Sequence, residues 1–357
     1  MGWACNNGQA EQTNIIAQRT ADSGQPTGIN TPRPPSFEGF KNGPCRLQLG
    51  NSMAYSNRRR TRRPRRFTPR RRSYRTRSVK RTRRVIRPKR MSKRKIVDLT
   101  SKKKKDTMVP SRGSISKETP VTIGQTVVTA TPLRQIFPFL WMASGRIPLQ
   151  QPATPGFPAD KATRSATNVF FKLISEKIEI QTDTSSPWLW RRIVFAYQGS
   201  QDFLDVGDDT VLTPTALGTN GYSRFTADLF SDSDSAAVFN ILSNVLFAGK
   251  IGVDWSSPMN APINKDRLKL MYDRTTPIRS GNEQGTMKQF KRNHWVNRTI
   301  RYADQEDGGG LDGSEHSAPS RGSLGDVFIL DLFEATQTAD GDKLFFEPQA
   351  TVYWHEK

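Results

Sequence analysis

From about residue 120 onward the chain alternates between apolar and polar positions. Asn168–Thr182 places Phe170, Ile174, Ile178 and Ile180 on one parity and Lys177, Glu179 and Gln181 on the other, as a half-buried strand requires. Residues 121–131 are rich in Val and Thr. Further strands are predicted at 188–197, 246–255, 268–273, 294–302, 327–333 and 350–354. Gly, Pro, Asp and Ser clusters, such as 202–221 and 307–325, separate these runs. One segment has a different period. In 236–246, Val238, Ile241, Leu242 and Val245 follow helical spacing, with Asp234 or Ser235 available as N-cap. Many short strands joined by turn-rich loops predict an all-β sandwich or barrel.

The N-terminal part reads differently. Residues 1–52 are rich in Gly, Pro, Asn, Gln, Thr and Ser without any period, which predicts a disordered extension. Met53 then opens a new composition and looks like a second start. Arg clusters broken by Pro64, Pro69 and Pro88 follow, and like charges and prolines together predict an extended arm. Within its basic C-terminal part, the apolar Ile96-Val97-Asp98-Leu99 is expected as a short strand or docking point. The chain thus divides into an extension (1–52), a basic arm (53–105) and a β-rich domain (106–357).

Charge sharpens this division. The 357 residues carry 55 Lys+Arg and 33 Asp+Glu, a formal net charge of +22. Residues 54–105 hold 26 bases and one acid, Asp98, whereas 106–357 hold 25 bases and 29 acids. The arm therefore carries more than the whole excess. The most apolar run, 136–143, contains Pro138 and is far shorter than the ~20 residues of a spanning helix. The start lacks the basic-then-apolar pattern of a secretion signal. Cys5 and Cys45 both precede the arm, so the β-rich domain has no cysteine for a disulfide or zinc site, and a reducing compartment is expected.

Such an arm is suited to phosphate. Arginine pairs with phosphate oxygens through two parallel hydrogen bonds, and each neutralised phosphate releases condensed counterions. The candidate contacts are Arg58, Arg59, Arg60, Arg62, Arg63, Arg65, Arg66, Arg70, Arg71, Arg72, Arg75 and Arg77. Phe67 and Tyr74, interleaved with them, can stack on unpaired bases. With no scaffold to read base edges, binding should not depend on sequence. Lys80, Arg81, Arg83, Arg84, Lys89, Arg90, Lys93, Arg94, Lys95, Lys102, Lys103, Lys104 and Lys105 form runs that also suit a nuclear-import address.

Catalytic chemistry is poorly represented. His294, His316 and His355 lie far apart in sequence, without a His or Cys partner at ligand spacing. No phosphate-binding P-loop and no G-x-S-x-G nucleophile turn occurs. Asp205, Asp208 and Asp209 form an acidic loop that reads as a solvated turn rather than a cation site. The expectation is a non-enzyme with no cofactor and no resident metal. Trp188 and Trp190 share one parity and are candidate core residues.

A resemblance adds to this reading. Met53-Ala54-Tyr55 before Arg-rich sequence, then Lys80-Arg81-Thr82-Arg83-Arg84, then Thr100-Ser101-Lys102-Lys103-Lys104-Lys105-Asp106-Thr107-Met108, resembles the opening of genomovirus (gemycircularvirus-like) capsid proteins. These belong to small circular single-stranded DNA viruses, some of which infect fungi. The resemblance covers about residues 53–110. It implies a single jelly roll of two four-stranded sheets and a T=1 icosahedral shell of 60 copies. It also implies packaging of a single-stranded DNA genome, and entry into the host nucleus with the help of import receptors. Sixty arms at +25 would supply about 1,500 positive charges, matching on the order of one to two kilobases of phosphate. The alternative reading is a nucleic-acid-binding protein with a basic tail that does not assemble.

Overall fold

Val-, Ile-, Phe- and Trp-rich runs form strands here because branched and aromatic side chains pack well on a pleated, half-buried surface. The computed structural model describes residues 91–132, 134–151, 154–205, 211–336 and 341–357. The N-terminal extension, the proposed start at Met53 and the arm as far as Arg90 lie outside the described residues. In chain order the elements are α1 (Lys93–Thr100), β1 (Lys102–Met108), β2 (Pro110–Ser114), β3 (Thr122–Ile123), β4 (Thr126–Thr129), β5 (Ile136–Met142), β6 (Leu149–Gln151), β7 (Thr154–Pro155), β8 (Asn168–Thr182) and β9 (Trp188–Tyr197). They continue with α2 (Gln201–Leu204), β10 (Ala216–Gly218), β11 (Gly221–Asp228), α3 (Ser233–Leu246), β12 (Lys269–Ile278), β13 (Thr286–Arg301), β14 (Gln305–Asp307), β15 (Gly310–Asp312), β16 (Asp326–Ala335) and β17 (Lys343–Glu356).

Two sheets enclose the core. The first has the order β1-β17-β8-β13, and β4 pairs with the opposite end of β17 on the same edge as β1. The second has the order β12-β9-β16-β5-β11-β2-β3, with β10 added to β11. From β4 to β17 the strands β4, β8, β13 and β17 build the first sheet, while β5, β9, β12 and β16 build the second. This interleaving is that of a jelly-roll sandwich. The sheets hold five and eight strands rather than four each. In the second sheet β11 joins the outer edge of β5 at Leu140 and Phe139, and β2, β3 and β10 extend the sheet from β11.

Several expected elements are shifted. β8 and β9 match their predicted bounds. Segment 246–255 is not a strand: Leu246 ends α3, and Gly249 and Gly252 turn the chain at φ +83° and +78°. Helix α3 is capped by Asp232 rather than Asp234 or Ser235, and its carboxylate accepts from the Ser235 amide at 2.8 Å. Phe170 does not share the face of Ile174. A register shift around Phe171–Leu173 flips the parity, so Val169 and Phe171 point inward and Phe170 outward. Ile96–Leu99 is part of α1 and not a strand, because Ser92 caps this proline-free stretch and accepts from the Lys95 amide.

The core is apolar at both ends and ionic in the middle. Trp188 and Trp190 are buried, and Trp190 stacks on Phe333 with centroids 6.1 Å apart. Between the sheets, Glu176 of β8 meets Arg192 of β9, Arg224 of β11 and Asp331 of β16, all four essentially inaccessible. Arg192 grips Asp331 with two bonds of 2.7 and 2.8 Å and donates to Glu176 at 2.5 Å. Arg224 donates to Glu176 and Asp331, both at 3.0 Å, and lies over the Trp141 ring. The two positive and two negative charges balance, and each guanidinium ties one sheet to the other.

Candidate nucleic-acid interface

The basic arm reaches the fold through α1 and β1. Lys93, Arg94 and Lys95 fill the first turn of α1, with Lys93 and Lys95 exposed. β1 pairs along its whole length with β17, from Lys102 opposite Glu356 to Met108 opposite Ala350. Alternation along β1 divides its lysines. Lys103 and Lys105 face outward, while Lys104 is only 4% exposed. Its ammonium donates to the Thr163 carbonyl at 2.7 Å and lies 3.0 Å from Glu356. Glu356 in turn accepts from the Ser165 hydroxyl and the Trp354 indole.

Of the import candidates, Lys102, Lys103, Lys104 and Lys105 thus lie in a paired strand, with Lys104 buried. The fold therefore begins before residue 106. Residues 54–92 carry 19 bases and no acid, and residues 93–357 carry 32 bases and 30 acids. The phosphate-binding candidates Arg58 to Arg77, with Phe67 and Tyr74, and the import candidates Lys80 to Arg90 lie outside the described residues.

Strand register arranges the outward face of the first sheet in transverse rows. The row nearest α1 is Lys103, His355, Phe170 and Thr299, on β1, β17, β8 and β13. The next is Lys105, Tyr353, Leu173 and Trp295. Lys172 sits at the bulge between the rows, its ammonium about 6 Å from both the Phe170 and Trp295 rings. The third row, Thr107, Thr351, Ser175 and Asn293, is polar and uncharged. Farther on, Glu347 opposes Glu179. Between these and the third row lie Gln349, Lys177 and Lys291, so the face is basic and aromatic beside α1 and of mixed charge beyond.

A cavity of about 640 Å³ opens between α1 and the first row. Val97, Phe170 and His355 give it an apolar wall, and Lys95, Lys172 and Lys357 bring positive charge. Asp98 and Glu356 are its acids, and Glu356 is already paired with Lys104. Partial burial, and then Lys172 and Lys103, hold the His355 imidazole below its ordinary value against the pull of Asp98. The Phe170 and His355 rings lie 6.0 Å apart.

The fold also assembles a group that sequence spacing conceals. Ser200, His316 and Asp326 meet in the interior. The Ser200 hydroxyl donates to Asp326 at 2.6 Å, and its oxygen is 3.1 Å from His316 Nδ1. In a hydrolytic triad the acid and the serine occupy opposite nitrogens of the imidazole. Here both lie on the Nδ1 side and Nε2 has no partner, so the histidine is not placed to activate the hydroxyl. Among the described residues, no three His, Cys, Asp or Glu side chains converge on a metal site. Asp208 and Asp209 lie outside the described residues. No described helix is long and apolar enough to cross a membrane.

No protein-family model matches the chain, and no curated protein matches it.

Proposed function

We propose that this chain is a viral coat protein, a T=1 shell subunit that encloses single-stranded DNA gathered by its basic arm. The observation that carries the reading is the division of charge. An arm of 19 bases without an acid adjoins a jelly-roll domain that is almost neutral, at 32 bases to 30 acids. A near-neutral domain can pack closely against copies of itself, whereas one bearing the full +22 would resist assembly. The arm supplies the opposite property, a strong and sequence-independent attraction to phosphate.

With the lysines of β1 assigned to the fold, sixty arms supply about 1,100 positive charges, matching about one kilobase of single-stranded phosphate. In this reading the chain is found in the virion and in the host nucleus. Lys80 to Arg90 serve as the address for import receptors, and the protein has no catalytic role.

Electron microscopy of the purified chain with single-stranded DNA tests the assembly step. Uniform closed particles are expected. Monomers at both low and high salt would overturn the reading and leave a basic-tailed nucleic-acid-binding protein that does not assemble.

A further inference from the structure

The sheet face beside α1 combines three properties that a free, solvated surface has no need to combine. It presents aromatic rings in adjacent rows, it surrounds them with cations, and it opens a cavity at the point where the basic arm joins the fold. Trp295 is 59% exposed, although indole is among the costliest side chains to leave in water. Phe170, turned outward by the bulge in β8, forms the floor of the cavity beside His355. A ring pair flanked by lysines matches the two parts of a nucleotide, a flat base and an anionic phosphate.

We propose that this face is an ordered single-stranded DNA site, where unpaired bases stack on Phe170, His355 and Trp295 and Lys95, Lys103 and Lys172 hold the neighbouring phosphates. The proposal rests on the single-stranded DNA reading of the arm and extends it from an extended tail to the folded domain. The cavity's volume of about 640 Å³ lies within the usual range for small-ligand sites and accommodates a nucleotide. Three interstrand gaps of ~4.8 Å separate Lys103 from Thr299, so the row spans ~14 Å across the sheet.

Charge selects among possible occupants. The arm cannot fill the cavity favourably, because its bases would meet Lys95, Lys172 and Lys357. A polyanion is attracted by the same three lysines. It is also delivered by the arm, since Ser92, the N-cap of α1, lines the cavity. The uncharged third row, Thr107, Thr351, Ser175 and Asn293, bounds the site along the strands. The surface has no groove that reads base edges, and stacking uses the π-face common to all bases, so the site tolerates any sequence.

The test uses the full chain and a single-stranded thymidine oligonucleotide carrying 5-bromodeoxyuridine, with photo-crosslinks mapped by mass spectrometry. Crosslinks are expected at Phe170, His355 or Trp295 as well as within the arm. Trp295→Ala and, separately, Lys172→Ala should weaken binding to the thymidine oligonucleotide, the former by about tenfold. Both side chains face solvent, and an unchanged melting temperature verifies the fold. Trp295→Ala should leave binding to an abasic oligonucleotide of equal charge unaltered, a distinction that an electrostatic role alone would not produce. Crosslinks confined to residues 58–90, with wild-type affinity in both variants, would overturn the site and leave the arm's role intact. Failure of the unmodified chain to bind either oligonucleotide would overturn the arm's role as well.

Discussion

Glu176 holds two guanidinium groups where the surface is closed to solvent, so an ion pair is worth far more there than at the surface. Burial disfavours the ionised forms, but Asp331 and Glu176 keep Arg192 protonated. Burial likewise acts against the Asp331 carboxylate, but Arg192 and Arg224 hold it below the usual range. Glu176→Gln preserves the shape and leaves Arg192 and Arg224 facing one carboxylate. The expected loss is ~3–5 kcal/mol, seen as a lower urea midpoint with an unchanged slope. An unaltered midpoint would show that the quartet does not join the sheets energetically. His294 gives a second prediction at this scale. Burial lowers its pKa to about 4, with Arg192 and Arg292 adding to the effect and Glu176 and Asp331 opposing it. The unfolded chain therefore binds the proton first. Stability is complete above the ordinary imidazole value near 6.5, declines as pH falls toward about 4 and then levels for this group. The decline amounts to roughly 3 kcal/mol and should flatten in His294→Phe, as measured by urea unfolding across this pH range.

Elements show how far periodicity carries. β8 and β9 are legible because their alternation is long enough to outweigh local noise. The bulge in β8 is not legible, since a parity flip at Phe171–Leu173 depends on pairing with β13 and β17 rather than on neighbouring residues. Segment 246–255 misleads because its Leu, Phe and Ile residues suit a strand, while positive φ at Gly249 and Gly252 imposes turns. The buried role of Lys104 was hidden for a related reason. Its partner Glu356 is 252 residues away, so a run of four lysines reads as one solvated cluster. The same separation conceals the sheet surface formed by Lys103, His355, Phe170 and Trp295. Lys104→Met would leave Glu356 buried without its cation and loosen β1 from β17. Hydrogen exchange of residues 102–108 should accelerate at least tenfold while β8 and β9 remain protected. Unchanged exchange along β1 would mean that backbone pairing alone secures this edge.

Across the whole molecule the net charge of +22 resolves into an arm of +19, a folded part of +2 and an N-terminal extension of +1. The class of fold was legible because patterning and turn chemistry agree over some 240 residues. The place where arm becomes fold was not, because Lys102–Lys105 look the same in either state. This division predicts the salt response of single-stranded DNA binding. The intact chain should lose affinity steeply with salt, and removal of residues 54–92 should flatten the log–log slope while the far-ultraviolet dichroism remains that of a β protein. An unchanged slope would contradict the arm's role. The most direct measurement is the length of DNA recovered from purified particles after exhaustive nuclease treatment. The intact chain is expected to protect single-stranded DNA of about one kilobase or more per particle, and the chain lacking residues 54–92 to protect none. Equal protection by both, or complete digestion with both, would contradict a shell that packages its genome through the basic arm.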